Sequence, residues 1–300
     1  MTTVNRAGAT LAIVLAIVSA EHPARGQGRG IPSSVAFNTM RDGNPEIYVM
    51  NWDGTNPRRI TDNPATDGDP AMSPDGRDIV FTSNRAGNND IFIVDSRGGT
   101  PFNLTNDPGN DGWARWSPDG RHIVFHSNRD GGNFEIYMMD SDGRSPIQLT
   151  NYPGIDQFPD WSPDGRGIVF RRDLDIFTMD LASGETKRLT NAPPLNQMAT
   201  YSPSGRQLVF MSARDGYPSV FTMHADGTNP VNLTPKPQAD SAVEWLSRAP
   251  SWSTNGRQIY FMSFRPSTAG DTEIYLVNAD GTGLRRLTNI VGVDGSPNVR

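Results

Sequence analysis

One phrase returns five times in this sequence: SPDGRDIVFTSNR from Ser73, SPDGRHIVFHSNR from Ser117, SPDGRGIVFRR from Ser162, SPSGRQLVFMSAR from Ser202 and STNGRQIYFMSFR from Ser253. Successive starts lie 44, 45, 40 and 51 residues apart. A period of that size marks a supersecondary unit that cannot cover its own apolar faces and must stack against copies of itself. The range suits four strands per unit, as in the blades of a β-propeller.

Each unit parses the same way. An apolar residue before the phrase (Met72, Trp116, Trp161, Tyr201, Trp252) ends a first strand, and Ser-Pro-Asp-Gly turns the chain. Pro pre-sets φ at the second turn position and Gly tolerates the left-handed geometry that follows. Ile79-Val80-Phe81 and its copies form a second strand, apolar enough for a sheet buried on both faces. A polar hairpin such as Asn84-Arg85-Ala86-Gly87 leads to a third strand, Ile91-Phe92-Ile93-Val94 and its copies, rich in β-branched and aromatic residues. An Asp-Gly turn (Asp142-Gly143, Asp226-Gly227, Asp280-Gly281) then opens a fourth strand that ends in Leu-Thr, as at Leu104-Thr105 and Leu149-Thr150.

A sixth unit is divided between the two ends of the chain. Val35-Ala36-Phe37, Ile47-Tyr48-Val49-Met50, Asp53-Gly54 and Ile60-Thr61 supply everything but a first strand. Asp294-Gly295-Ser296-Pro297-Asn298-Val299 parallels Asp67-Gly68-Asp69-Pro70-Ala71-Met72 and can supply it. The expected fold is therefore an all-β, six-bladed β-propeller of four-stranded antiparallel blades. Its first blade is split between residues 31–61 and 294–300, and the C-terminal strand closes the ring by joining the N-terminal blade. A ring packs every sheet between two neighbours, whereas an open stack leaves apolar faces at both ends.

The remaining sequence sets bounds on function. With a formal net charge of -6 and no run of basic residues, the chain lacks the footprint of a nucleic-acid binder. It has no cysteine, which excludes disulfides, thiolate metal sites and a cysteine nucleophile. Arg6 followed by the apolar stretch Ala7 to Ala20 has the form of a secretory signal, with Val18-Ser19-Ala20 as a small-residue cleavage site and a second candidate after Gly26. The expected organisation is a signal peptide and short linker over residues 1–26 and one propeller domain over 27–300. Once the signal is removed, no stable membrane insertion is expected, and the location is periplasmic or secreted.

The run Asp-x-x-Pro-x-Trp-Ser-Pro-Asp-Gly-Arg, then Ile-Val-Phe-x-Ser-Asn-Arg, Glu-Ile-Tyr, Asp-Gly and Leu-Thr-Asn resembles the WD40-like, TolB-like C-terminal β-propeller family. Residues 156 to 166 match its opening without a gap, and the resemblance spans about residues 31 to 300. It implies an envelope protein that docks other proteins on one mouth of the ring, as TolB does with a peptidoglycan-associated lipoprotein. A stand-alone relative is expected, since TolB-like proteins carry a separate α/β domain ahead of the propeller and few residues separate signal and first blade here. Similar repeats in oligogalacturonate lyases make a carbohydrate-binding or lyase-like propeller the alternative, although this chain lacks the metal-binding histidines of those enzymes.

Candidate site residues cluster where one blade's Leu-Thr leads into the next blade's first strand. Asp67, Asp111, Asp156 and Asp294 recur there, with Asn196 in the fourth gap and Asp240 in the expanded fifth. An acidic ring that binds a cation or basic peptide is one reading; Asp side chains that hold backbone N–H groups at turns are the other. Trp113, Phe158 and Met198 stand two residues after those positions, and Trp245 lies in the long fifth connection, Ala242 to Leu246. Exposed aromatics at a loop-rich mouth suit a protein interface or sugar stacking, with packing between loops as the alternative. The partner-binding set is accordingly Asp67, Asp111, Trp113, Asp156, Phe158, Trp245 and Asp294. The partner is an envelope or secreted protein, held by a monomer.

No catalytic residue, metal or cofactor is expected. Asp140-Ser141-Asp142-Gly143 imitates the start of a calcium loop without the closing glutamate, which hairpin-turn chemistry explains. His122 and His126 share a strand and stand roughly 13 Å apart, too far to share a metal. No Gly-x-Ser-x-Gly, His-Glu-x-x-His or P-loop motif is present. The repeated Arg85, Arg129, Arg214 and Arg265 suggest a structural role in each blade, with an anion site as the alternative.

Overall fold

A computed structural model describes residues 34–191, 194–235, 246–264 and 271–299. Three strands come first among the described residues: β1 (Ser34–Thr39), β2 (Glu46–Asn51) and β3 (Arg58–Arg59). Blade 2 is β4 (Asp67–Met72), β5 (Asp78–Ser83), β6 (Asp90–Asp95) and β7 (Phe102–Asn103). Blade 3 is β8 (Asp111–Trp116), β9 (His122–Ser127), β10 (Glu135–Asp140) and β11 (Ile147–Gln148). Blade 4 is β12 (Asp156–Trp161), β13 (Gly167–Arg172), β14 (Asp175–Asp180) and β15 (Thr186–Arg188). Blade 5 is β16 (Asn196–Tyr201), β17 (Gln207–Ser212), β18 (Ser219–His224) and β19 (Val231–Asn232). Blade 6 is β20 (Leu246–Trp252), β21 (Gln258–Phe264), β22 (Thr272–Asn278) and β23 (Arg285–Arg286). The last strand, β24 (Asp294–Val299), pairs antiparallel with β1 and completes blade 1 in the order β24-β1-β2-β3.

The result is an all-β, six-bladed propeller of four-stranded antiparallel sheets, closed as the divided repeat predicts. First strands touch one another around the ring (β24 with β4, β4 with β8, β8 with β12, β12 with β16, β16 with β20, β20 with β24), which places them innermost. The signal stretch, Asp240, Trp245 and Arg265 lie outside the described residues.

Instead of one central core, the molecule has a buried apolar cluster at each junction of two blades. Between blades 1 and 2, for example, Ala36, Ile47, Val49 and Ile60 meet Met72, Ile79, Phe81, Phe92 and Val94. The Ile-Val-Phe strand serves two such clusters, because alternate side chains point to opposite faces: Val80 joins the cluster toward blade 3 while Ile79 and Phe81 face blade 1.

The repeated phrase has a local reason at each position. Ser73 Oγ accepts from Asp78 N at 3.0 Å and donates to Asp75 Oδ1 at 2.7 Å, while Gly76 N closes the turn onto Ser73 O at 2.9 Å. The equivalent serines Ser117, Ser162, Ser202 and Ser253 accept from the same relative N–H at 2.9 to 3.1 Å. The tryptophans stitch neighbouring blades: the indoles of Trp116, Trp161 and Trp252 donate to Ala71 O, Arg115 O and Thr200 O at 3.1 to 3.3 Å.

Leu-Thr lies just beyond the fourth strand rather than ending it. These outer strands are two or three residues long, and the threonine instead caps the third strand, with Thr105 Oγ1 accepting from Ile91 N at 3.0 Å. Thr61, Thr150, Thr190, Thr234 and Thr288 repeat that bond at 2.9 to 3.0 Å.

Deleting residues 294–300 removes the innermost strand of blade 1 and uncovers the cluster of Val35, Phe37, Tyr260 and Leu276. The truncated protein should show no cooperative calorimetric transition, and adding the 294–300 segment as a peptide should restore part of it.

Candidate functional site

The ring has two mouths. One carries the Ser-Pro-Asp-Gly turns; the other carries the hairpins between second and third strands and the connections from blade to blade. All the candidate positions in the described residues belong to the second mouth or to the channel beneath it.

Asp67, Asp111, Asp156 and Asp294 each open an innermost strand, and register sets them opposite Ser83, Ser127, Arg172 and Thr39 at the end of the second strand. Asn196 and Ser247 occupy the same position in blades 5 and 6, opposite Ser212 and Ser263. Ser247, rather than Asp240, is therefore the blade 6 counterpart. The four aspartate side chains have no exposed surface.

An arginine from the adjacent hairpin, or in blade 4 from the end of the second strand, closes on each aspartate: Arg85 on Asp67 at 2.7 Å, Arg129 on Asp111 at 3.0 Å, Arg172 on Asp156 at 2.7 Å and Arg41 on Asp294 at 3.6 Å. The same guanidiniums stack on the aromatic pair of their own blade, as Arg85 does over Phe81 and Phe92 at 5.3 and 4.9 Å and Arg129 over Phe125 and Tyr137 at 5.0 Å each. Arginine suits this place because a planar guanidinium can stack and hydrogen-bond at once. The aspartates thus lock hairpin to innermost strand. Burial pushes Asp111 and Asp294 above the usual carboxylate range, against the arginine and hydroxyl groups that pull the other way.

Trp113, Phe158 and Met198 face the channel rather than the rim. The register between first and second strands slips at this point in every blade, and the slipped residue takes a left-handed φ: Asp69 at 50°, Trp113 at 54°, Phe158 at 56°, Met198 at 57°, Ala249 at 50° and Ser296 at 45°. Such a bulge re-aims a side chain. Trp113 is only 5% exposed, meets Phe158 edge-on at 4.9 Å, and reaches Ala249 and Met262 of blade 6, on the opposite side of the ring. Phe158 and Met198 pack against this cluster, so an apolar plug crosses the channel. Two cations flank it, Arg115 at 4.5 Å from the Trp113 ring and Arg171 at 5.0 Å from the Phe158 ring. The cavity left beside the plug, about 10 Å³ and bounded partly by Arg115, Thr200 and Asn298, has room for about one water.

His126 lies against the same plug. Its ring meets Phe134 and Phe158 edge-on at 5.1 and 5.7 Å, and burial, reinforced by Arg171 and Arg115, pushes its pKa down to about 3. The sequence identified the four aspartates and the arginine repeat separately. It missed Arg41 and Arg172 as members, and it missed that acid and base meet, although the spacing of 18 residues from Asp67 to Arg85 and from Asp111 to Arg129 repeats. Asp140 to Arg144 forms a hairpin turn, with Gly143 N donating to Asp140 O at 2.9 Å and Arg144 N to Asp142 Oδ1 at 3.1 Å.

Because His126 is depressed from 6.5 to about 3, the unfolded chain binds the extra proton between those values and stability falls as pH falls through that window. The difference in unfolding free energy between the wild type and His126→Gln should be flat above pH 7. Below pH 6.5 it should drop by roughly 1.4 kcal/mol per pH unit. Chemical denaturation across that range measures it, and a difference that stays flat would show that folding does not suppress protonation.

The TolB β-propeller domain family matches residues 31–109 and 102–174. TolB from Acinetobacter baumannii superposes with a TM-score of 0.78 at 24% identity, over 89% of this chain and 66% of that one, so this chain spans less than two thirds of that protein. A protein assigned as TolB from Agrobacterium tumefaciens superposes with a TM-score of 0.68 at 25% identity, over 89% of this chain and 92% of that one. Oligogalacturonate lyase from Vibrio parahaemolyticus shares the fold at a TM-score of 0.54 and 12% identity, over 84% of this chain and 71% of that one. No curated protein sequence matches. Repeat phrase, blade geometry and ring closure agree with the family match, and the chain belongs to the TolB-like β-propeller family.

Proposed function

We propose that this chain is an exported, non-catalytic docking platform of the periplasm or cell exterior, which as a monomer holds a protein partner on the hairpin mouth of its ring. The observation that carries this is where that mouth exposes apolar side chains. Met40 in the β1–β2 hairpin and Val291 in the connection to β24 are 41% and 88% exposed. Ile155 and Leu174, at the matching places in blade 4, are 41% and 47% exposed. In each blade a backbone bond beside these side chains ties the hairpin to the connection, Met40 N to Val293 O at 2.9 Å and Asp173 N to Ile155 O at 2.8 Å.

Blades 1 and 4 face each other across the ring, so two apolar spots flank the mouth. A patch rimmed by polar groups marks an interaction surface. The Asp–Arg locks beneath these hairpins hold the rim in one shape, which lowers the entropy lost on docking. The signal-like residues 1–26 support export, and membership of the TolB-like family supports an envelope partner. Trp245, in the long connection into blade 6, is proposed to extend the same surface, and Asp67, Asp111, Asp156 and Asp294 to serve it from within as positioning groups. Trp113 and Phe158 serve it as the floor of the mouth.

Capture from an envelope extract of the host should retrieve a protein partner with the wild type. The double variant Ile155→Asp/Leu174→Asp should bind it at least tenfold more weakly, about 1.4 kcal/mol or more, as at interface hot spots. Both sites are exposed, so the melting temperature should hold within about 2 °C. Trp245→Ala tests the same face from the blade 6 side. Absence of any protein partner together with turnover of an acidic oligosaccharide would overturn this reading.

A further inference from the structure

Blade 5 departs from its neighbours at two places that carry charge. In blades 1 to 4 an arginine at or just past the end of the second strand closes on a buried aspartate, at 2.7 to 3.6 Å. A second acid (Glu46, Asp90, Glu135, Asp175) opens the third strand of each of those blades and is also buried. Blade 5 has Asn196 at the first place and Ser219 at the second, both buried.

Arg214 nevertheless keeps the posture of its sister arginines. Its Nε donates to Ser212 Oγ at 3.0 Å, and the guanidinium stacks over Phe210 and Phe221 at 5.3 and 4.9 Å. Its Nη2 donates at 3.2 Å to Asn196 Oδ1, a neutral acceptor. Asp215, next in the chain, is engaged by Asn232 Nδ2 at 2.6 Å. Among the described residues no carboxylate makes an ion pair with Arg214. Burial pushes the Arg214 guanidinium down from its ordinary pKa, whereas its hydrogen bond to Asp156 holds Arg172 above it. A half-buried guanidinium without its anion is costly, so the rest of the motif is kept here against an electrostatic penalty.

The same arginine lines a cavity of about 340 Å³ at the junction of blades 4 and 5. Asn191 and Asn196 bring further hydrogen-bonding groups to its wall, and Leu189, Pro194 and Met223 bring apolar surface. The geometry points to a carboxylate-binding site: Arg214 takes the carboxylate of an external ligand where its sister arginines hold an aspartate of the chain. The apolar wall selects a carboxylate on a short apolar group. A free organic acid and the terminal or side-chain carboxylate of a bound peptide share that chemistry.

Acetate and butyrate, titrated against chloride at equal ionic strength, are the probes. The side-chain Nε–H resonance of Arg214 in the ¹⁵N-labelled protein is the readout, with thermal stability measured in parallel. A saturable shift with acetate, tighter with butyrate, is expected. Asn196→Asp restores the internal carboxylate and should bind acetate about tenfold more weakly, the loss of one charge-assisted bond, while melting higher than the wild type. Arg214→Gln, which keeps a polar group without the charge, should lose the acetate-dependent gain in melting temperature. A short peptide acid compared with its C-terminal amide separates the sources: preference for the peptide acid over butyrate assigns a docked chain, and the reverse assigns a free acid. The proposal fails if no saturable shift appears, or if Asn196→Asp binds acetate as tightly as the wild type.

Discussion

A sheet whose second strand reads Ile-Val-Phe is apolar on both faces, and neither face can be left in water. Helices flanking the sheet or copies of itself can cover it, and this chain uses copies. Each of the six junction clusters draws its residues from two blades, so no blade contains a core of its own. Burial at roughly 25 cal/mol per Å² then accrues only when neighbours are present on both sides. β24 decides whether the first and last blades have those neighbours, because Val299 packs with Val35 and Phe37 against Tyr260, Ile274 and Leu276 of blade 6. Stability is a property of the closed ring.

The parts of this architecture legible in the sequence are those that every blade repeats for a local reason. Ser-Pro-Asp-Gly is visible because the serine hydroxyl, the aspartate and the glycine each satisfy a backbone requirement of one turn. The bulge was not legible. Its left-handed residue is Asp69, Trp113, Phe158, Met198, Ala249 or Ser296, none a glycine, so the usual marker of positive φ is missing. The trace it leaves is the next position, Pro70, Pro159, Pro250 and Pro297, where the backbone has no N–H to offer the ladder. That slip is why aromatics expected on the rim cross the channel instead. The blade 6 anchor was hidden differently: the long connection offered Asp240 as the acid, while register sets Ser247 opposite Ser263.

Taken one blade at a time, the acidic ring offers either backbone braces or a cation site. The aspartates bond a cation, but the cation is the chain's own arginine, delivered from the end of the second strand or the hairpin after it and clamped between the carboxylate and two aromatic rings. Recurrence of both partners in four successive blades, 18 residues apart in blades 2 and 3 and 16 apart in blade 4, identifies a structural lock, since a binding site needs to be built only once. A plugged channel leads to the same conclusion. With Trp113 reaching across to blade 6, no macromolecule can thread the ring, which leaves the rim and hairpins as the surfaces open to one.

In a repeat protein the informative residues are therefore those that break the pattern while their surroundings keep it. Asn196 and Ser219 each exchange an acid for a neutral group, yet Arg214, Ser212, Phe210 and Phe221 remain in place around them. Had the lock been dispensable in blade 5, the arginine would have no reason to stay, because an unpaired guanidinium over two rings costs more than a neutral side chain of similar size. Its retention beside a cavity of the size of a small acid gives the substitution a use: both acids are replaced, the guanidinium keeps its posture, and its charge is left for a carboxylate from outside the chain.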